Sequence, residues 1–245
     1  MARNIINPVK EKLKREVYSW SLVIIVVLIL RVIFVEAYVI PTASMEKTLL
    51  IGDALLVNRF IYGVKIPIPL STTQIPVVPG RMPKRGEIVV FIYPFENRDF
   101  VKRCVGVSGD TVEIINKMLY VNGVQVVEPY VQHIDGSVYR GVIADSRMYQ
   151  QRWQQGDLGD LIGQQARDNF GPVVVPDDCI FVMGDNRDNS LDSRFWGPLH
   201  RRYLKGKPLF VYFSFDPGGE VTNFLEIFKF WQWKSVRLPR IGRVI

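Results

Sequence analysis

From Tyr18 to Val35 the chain is apolar except for Arg31 and two serines, and no other stretch restricts the possible folds so strongly. As a helix rising about 1.5 Å per residue it reaches roughly 27 Å, close to the roughly 30 Å of a bilayer's hydrocarbon core. Residues 1–17 carry Arg3, Lys10, Lys12, Lys14 and Arg15 against Glu11 and Glu16. A basic flank of this kind keeps the N-terminus in the cytoplasm, Tyr18 and Trp20 suit an interface, and Arg31 can snorkel. A cleavable leader would need a shorter apolar core and small residues at its cut, and Pro41 spoils the nearby candidate after Ala43. A buried core helix is the other reading, which the basic cluster argues against. The expectation is a cytoplasmic segment over 1–17, a single transmembrane anchor over 18–35, and everything later outside. A hydrophobic fraction of 48% leaves no room for many spans.

Beyond the anchor, β signals dominate. Ala54–Ile61, Glu87–Tyr93, Phe100–Val107, Thr111–Ile115, Met118–Val121 and Val124–Val127 are rich in β-branched and aromatic residues. Asn122-Gly123 between the last two signals a type I′ hairpin. The proline-rich stretch from Ile66 to Pro83 reads as a loop. Residues 128–172 are polar and glutamine-rich, as expected of an inserted lobe, and β character returns at Val173–Val175, Cys179–Met183 and Pro208–Phe215. No helical period stands out after the anchor. The prediction is a mainly β core formed by 36–127 and 173–220, followed by an aromatic and basic segment, 221–245, whose aromatics either suit lipid headgroups or close over the core.

The net charge of +7 suits an anionic membrane surface or nucleic acid. No basic run interleaved with stacking aromatics lies within the core, which argues against nucleic acid. Cys104 and Cys179 form no CxxC or Cys/His cluster, so no structural zinc or other metal is expected. One disulfide is chemically open to them, but both sit in apolar strand-like runs that favour buried thiols.

Ser44 follows Pro41, which ends any helix near it and presents the serine on a loop or strand end. A serine hydroxyl needs a base before it attacks anything. His133, in the polar insertion, and His200, near a turn, both read as ordinary surface histidines. Lys102 interrupts the apolar run Asp99-Phe-Val-Lys-Arg-Cys-Val-Gly-Val107, on the face of Phe100 and Cys104. There it is either a gatekeeper on an edge strand or a desolvated base, its pKa brought from about 10.4 toward neutrality. Gly184-Asp-Asn-Arg-Asp-Asn-Ser-Leu-Asp-Ser-Arg194 packs polar groups between a strand and a turn. Read alone it is a solvated loop rich in Asx-turns.

Together these stretches resemble the bacterial type I signal peptidases, the serine-lysine proteases that remove signal peptides from exported proteins. The resemblance is carried by Ile40-Pro-Thr-Ala-Ser-Met45, Gly52-Asp53, Arg85-Gly-Glu-Ile-Val-Val-Phe91, Val101-Lys-Arg103, Gly109-Asp110, Gly184 to Arg194, Ser214-Phe-Asp216 and Arg240-Ile-Gly242, in the family's order. It implies a signal-peptidase-type β-sheet catalytic domain with an inserted variable lobe, preceded by one transmembrane helix. The catalytic domain would lie on the periplasmic side of the inner membrane and rest on its lipid. By the same resemblance Ser44 is the nucleophile, Lys102 the general base, Ser190 the hydroxyl that orients the lysine, and Thr42 a donor to the oxyanion. Asp185, Asp192, Arg103 and Arg194 would form supporting ion pairs. Ile40, Met45, Leu49, Val90, Phe100 and Val101 would line shallow pockets for small residues before the scissile bond, with the signal peptide bound extended. No cofactor is implied.

Two departures stand out. Lys47 replaces the proline usual in Ser-Met-x-Pro-Thr-Leu, and Val107-Ser108 replaces the common Leu-Pro before Gly109-Asp110. Both alter loops rather than reacting groups. The competing reading is a membrane-anchored β domain with a decayed dyad that binds exported chains or scaffolds partners. A relative of the self-cleaving repressor proteases would share the dyad, but no DNA-binding domain is seen and the anchor argues against it.

Overall fold

Helix α1 (Pro8–Phe34) runs directly into strand β1 (Val35–Val39). The structure is a computed structural model that describes residues 8–67, 74–141, 146–158, 163–218, 221 and 228–245. Parts of the expected cytoplasmic segment (1–7), proline-rich stretch (68–73), polar lobe (142–145, 159–162) and C-terminal region (219–220, 222–227) lie outside these residues. Among the described residues no helix is long and apolar enough to cross a membrane. The side chains described on α1, residues 12–25, are exposed, Leu22, Val23, Ile24 and Ile25 among them. The helix stops before Pro41 because Val35–Val39 pairs antiparallel with β2 (Asp53–Asn58).

The main sheet is antiparallel. Its order is β1, β2, β13 (Leu204–Asp216), β5 (Ile88–Ile92), β6 (Asp99–Val107), β11 (Cys179–Met183) and β12 (Leu199–His200), with β14 (Ser235–Val236) added to β13. Long β13 bonds β5 near its start and β2 along the rest, with register shifts between Pro208 and Phe210 and between Val211 and Phe213. Such bulges bend a strand and strengthen its twist. Period-two alternation sorts side chains between separate cores. Val89 and Phe91 join Cys104, Ile180 and Val182, whereas Ile88 and Val90 join Ile40, Met45, Leu49, Leu55 and Val211. The unbroken apolar run of β5 is thus a strand covered on both faces.

A second sheet, ordered β10 (Phe170–Val174), β7 (Thr111–Ile115), β8 (Met118–Val121) and β9 (Val124–Gln125), packs on a third core. Asn122 and Gly123 both have positive φ, 54° and 76°, as a type I′ turn requires. Phe181 and Met183 of β11 reach this core from the main sheet.

Two elements differ from the sequence expectation. The polar stretch contains helix α2 (Ser146–Gln155), which buries Tyr149 and Trp153 against Phe170. Two apolar anchors four residues apart among eight mostly polar neighbours are too few to show a helical period. The proline-rich stretch is not all loop, since β3 (Gly63–Pro67) pairs with β4 (Gln74–Pro79). An isolated two-stranded ribbon has free edges, where a proline's missing N–H is tolerated.

Candidate active site

Ser44 sits in a single 3₁₀ turn, Ala43–Met45, entered from extended Thr42 at φ −129° and ψ 156°. Met45 and Leu49 anchor the turn in the core below it. Gly52 closes the loop at φ +86°, and a Cβ there would lie 2.1 Å from Phe215 O, so only glycine fits.

Lys102 lies on β6, between β5 and β11, where Val89 is its partner. This interior position removes the edge-gatekeeper reading. Lys102 is only 3% exposed, and its Nζ donates to Ser44 Oγ at 2.5 Å. Burial drives its pKa down to about 8; Asp192 pulls upward, Arg194 downward and Asp185 upward, each less strongly. A lysine near neutrality is a usable base, which an exposed one is not.

The carboxylates that act on Lys102 are themselves held. Arg103 grips Asp185 in a bidentate pair, Nε to Oδ1 at 2.8 Å and Nη2 to Oδ2 at 2.6 Å. Thr48 Oγ1 adds a bond to the same carboxylate at 2.6 Å. Arg194 grips Asp192 with two bonds of 2.8 Å, and Asp192 caps the short helix α3 (Ser193–Trp196) by accepting from Arg194 N. Burial raises the Asp192 carboxyl, but the Arg194 charge and hydrogen bonds, with help from Ser190 and Gly184, bring it below its ordinary value. Paired in this way, the two acids favour the lysinium without quenching it.

Thr42 Oγ1 lies 3.4 Å from Ser44 Oγ, on the exposed side of the turn. Ser190 is beside Asp192 rather than bonded to the amine, and its buried Oγ has no well-aligned hydrogen-bond partner. A Cβ on Gly184 would stand 2.3 Å from that oxygen and 2.5 Å from Ser44 O, so glycine lets the loop close over the dyad. Ile40, Met45, Leu49 and Val90 are buried in one core cluster, with Val101 partly exposed against it. Phe100 belongs to the neighbouring cluster, stacked on Tyr93 and 5.5 Å from Lys102 Nζ. His133 faces Asp188, and His200 is on edge strand β12, accepting from Arg202 N. Cys104 and Cys179 are free, buried thiols. Among the described residues no group of His, Cys, Asp and Glu could hold a metal.

One contact escaped the sequence reading. Asn186 N donates to Ser44 O at 3.1 Å, a backbone bond that no side-chain motif encodes.

The family model described as signal peptidase, peptidase S26, matches residues 13–213. Signal peptidase I of Pseudomonas aeruginosa is 38% identical over 221 residues, covering 84% of this chain and 74% of that protein. The chain belongs to the signal peptidase family. The same protein of Helicobacter pylori strain 26695 is 33% identical, covering 83% of this chain and 84% of its own. That of Aquifex aeolicus is 31% identical, with 82% and 85% covered. The family model and these relatives each cover more than four-fifths of the chain, so family membership does not rest on the motif residues alone.

Proposed function

We infer that this chain is a membrane-anchored serine endopeptidase that cuts signal peptides from exported preproteins after small residues. The observation that carries the reading is the 2.5 Å contact between Ser44 Oγ and a buried Lys102. In the neutral amine the direction of that bond reverses: Lys102 takes the hydroxyl proton as Ser44 attacks the scissile carbonyl. The amide of Ser44 and the Thr42 hydroxyl stabilise the oxyanion. Protonated Lys102 then gives its proton to the departing amine, leaving an acyl-enzyme. Water deprotonated by Lys102 releases the signal peptide and restores Ser44. Ser190 keeps Asp192 poised beside the amine. Val101, half-exposed on β6, and Phe100 line the approach to the lysine, above a floor made by Ile40, Met45, Leu49 and Val90.

The anchor is assigned to 18–35, with residues 1–17 cytoplasmic and the β core, the lobe 128–172 and the tail 221–245 outside. In its support, the sequence of 18–35 is apolar but for Arg31 and two serines, and the described part of α1 exposes its apolar side chains. Exposed Phe228, Phe230 and Trp231 give the tail a surface suited to lipid.

The test is cleavage of a preprotein with alanines at the first and third positions before the bond, by wild-type, Ser44→Ala and Lys102→Ala proteins in detergent. Cutting at that bond by the wild type alone is expected; a folded wild type that cuts nothing, or an active Ser44→Ala, defeats the mechanism. Before extraction the protein should resist an alkaline wash of the membranes, and release into the wash would remove the anchor.

A further inference from the structure

The polar insertion begins against the nucleophile turn, and the contacts there close a ring. Asn186 N bonds Ser44 O at 3.1 Å, and the next residue's amide, Arg187 N, bonds Gln132 O at 3.0 Å. Gln132 N answers to Asp185 O at 2.8 Å, making a short parallel bridge. From the other side, Lys47 Nζ donates to Val131 O at 3.2 Å and Pro129 O at 3.3 Å. Lys47 is three residues from Ser44, so the path runs from Ser44 through the 185–187 loop, into 129–132, and back through Lys47.

Two buried contacts pin the segment in place. Glu128 and Arg187 form a bidentate pair at 2.6 and 2.7 Å, with side chains 6% and 3% exposed. Arg103, next to Lys102 and bonded to Asp185, stacks over the Tyr130 ring at 3.7 Å. Lys47 itself is held at φ +78°. That left-handed conformation is strained for a lysine, and proline, with φ fixed near −65°, cannot adopt it. The turn is therefore held not from within but by a cation tied across to another segment.

We propose that Glu128–Gln132 is a positioning strap for the nucleophile, with Glu128 and Lys47 as positioning residues that hold the Ser44 turn without touching substrate. The inference rests on the reading of Ser44 as nucleophile. Small displacements matter at such a site, because misplacing a reacting atom by 1 Å lowers a rate by about a hundredfold. A loosened, not broken, turn should lose less, about tenfold.

The experiment compares the full chain in detergent with Lys47→Met, Lys47→Arg, Glu128→Gln and the Lys47→Met/Glu128→Gln double variant. It reads kcat and KM on the alanine-bearing preprotein, and amide hydrogen exchange over 43–49 and 185–187. Lys47→Met should lower kcat about tenfold with KM unchanged and speed exchange in both segments, while Lys47→Arg restores both. Glu128→Gln should do the same, and the double variant should lose less than the product of the single losses, since both act on one ring. Because Lys47 is exposed, its variants test the idea even if Glu128→Gln fails to fold. A Lys47→Met protein with wild-type kcat and exchange overturns the strap. So does one in which only KM rises, which would make Lys47 a substrate contact. If the wild type cuts no preprotein, the exchange data alone decide the strap, and only the proposed function falls.

Discussion

Lys102 is costly to keep. Burial takes its pKa from 10.5 to about 8, so below pH 8 the folded protein carries a charge its surroundings disfavour. Between about 8 and 10.5 the unfolded chain binds more protons than the folded one, and stability therefore rises with pH across that window. The full penalty, about 3 kcal/mol, acts at neutral pH. Lys102→Met removes the penalty and loses a hydrogen bond worth about 1 kcal/mol. It should thus abolish cleavage yet stabilise the protein by about 2 kcal/mol at pH 7, a gain that shrinks toward pH 10. Urea melts at both pH values check this, and a destabilised Lys102→Met at pH 7 would mean that the amine is not desolvated. The wild-type rate should climb with pH and reach half its plateau near pH 8, as the neutral amine accumulates.

At the scale of elements, the 184–194 loop is not the solvated turn its polar residues suggest when read alone, since Asp185, Arg187, Asp192 and Arg194 are buried and paired. Interior strands were legible because β5 and β11 carry unbroken β-branched and aromatic runs, and the Asn122-Gly123 turn because its chemistry is local. Helix α2 was not, since its burial depends on Trp153 meeting Phe181 and Ser193 O, partners far away in sequence. In the candidate site, Ser44 and Lys102 stand out in the sequence by motif and context and the fold brings them into contact, whereas the closeness of Ser190 Oγ to Gly184 comes only with the folded loop. That closeness is testable. Gly184→Ala puts a methyl 2.5 Å from Ser44 O, a backbone atom that must then move. A shift of 1 Å there should lower kcat about a hundredfold, with circular dichroism unchanged. A Gly184→Ala protein of wild-type rate would show that the loop relaxes without disturbing Ser44.

Over the whole molecule, the C-terminal residues close on the N-terminal half of the core, and Asp53 is where they meet. Its carboxylate is fully buried and accepts from Leu50 N at 2.8 Å, Ser214 Oγ at 2.7 Å and Arg240 Nε at 2.9 Å. Arg240 also bonds Thr48 O, and Arg237 bonds Ile51 O, so the tail braces the segment joining Ser44 to β2. This gives Gly52-Asp53, Ser214 and Arg240 one physical reason to occur together, although they are spread over most of the chain. Removing Arg240 strands a buried carboxylate, which costs about 3–5 kcal/mol. Arg240→Ala should therefore lower the melting temperature far more than Arg243→Ala, whose side chain is exposed. Arg240→Lys should recover only part of the loss, because an ammonium cannot reproduce the fork that spans Asp53 and Thr48 O. Cleavage should fall along with stability, since freeing Thr48 O and half of Asp53 loosens the far end of the nucleophile turn. If Arg240→Ala melted like the wild type, Ser214 and the Leu50 amide alone would suffice for Asp53, and the tail would brace nothing.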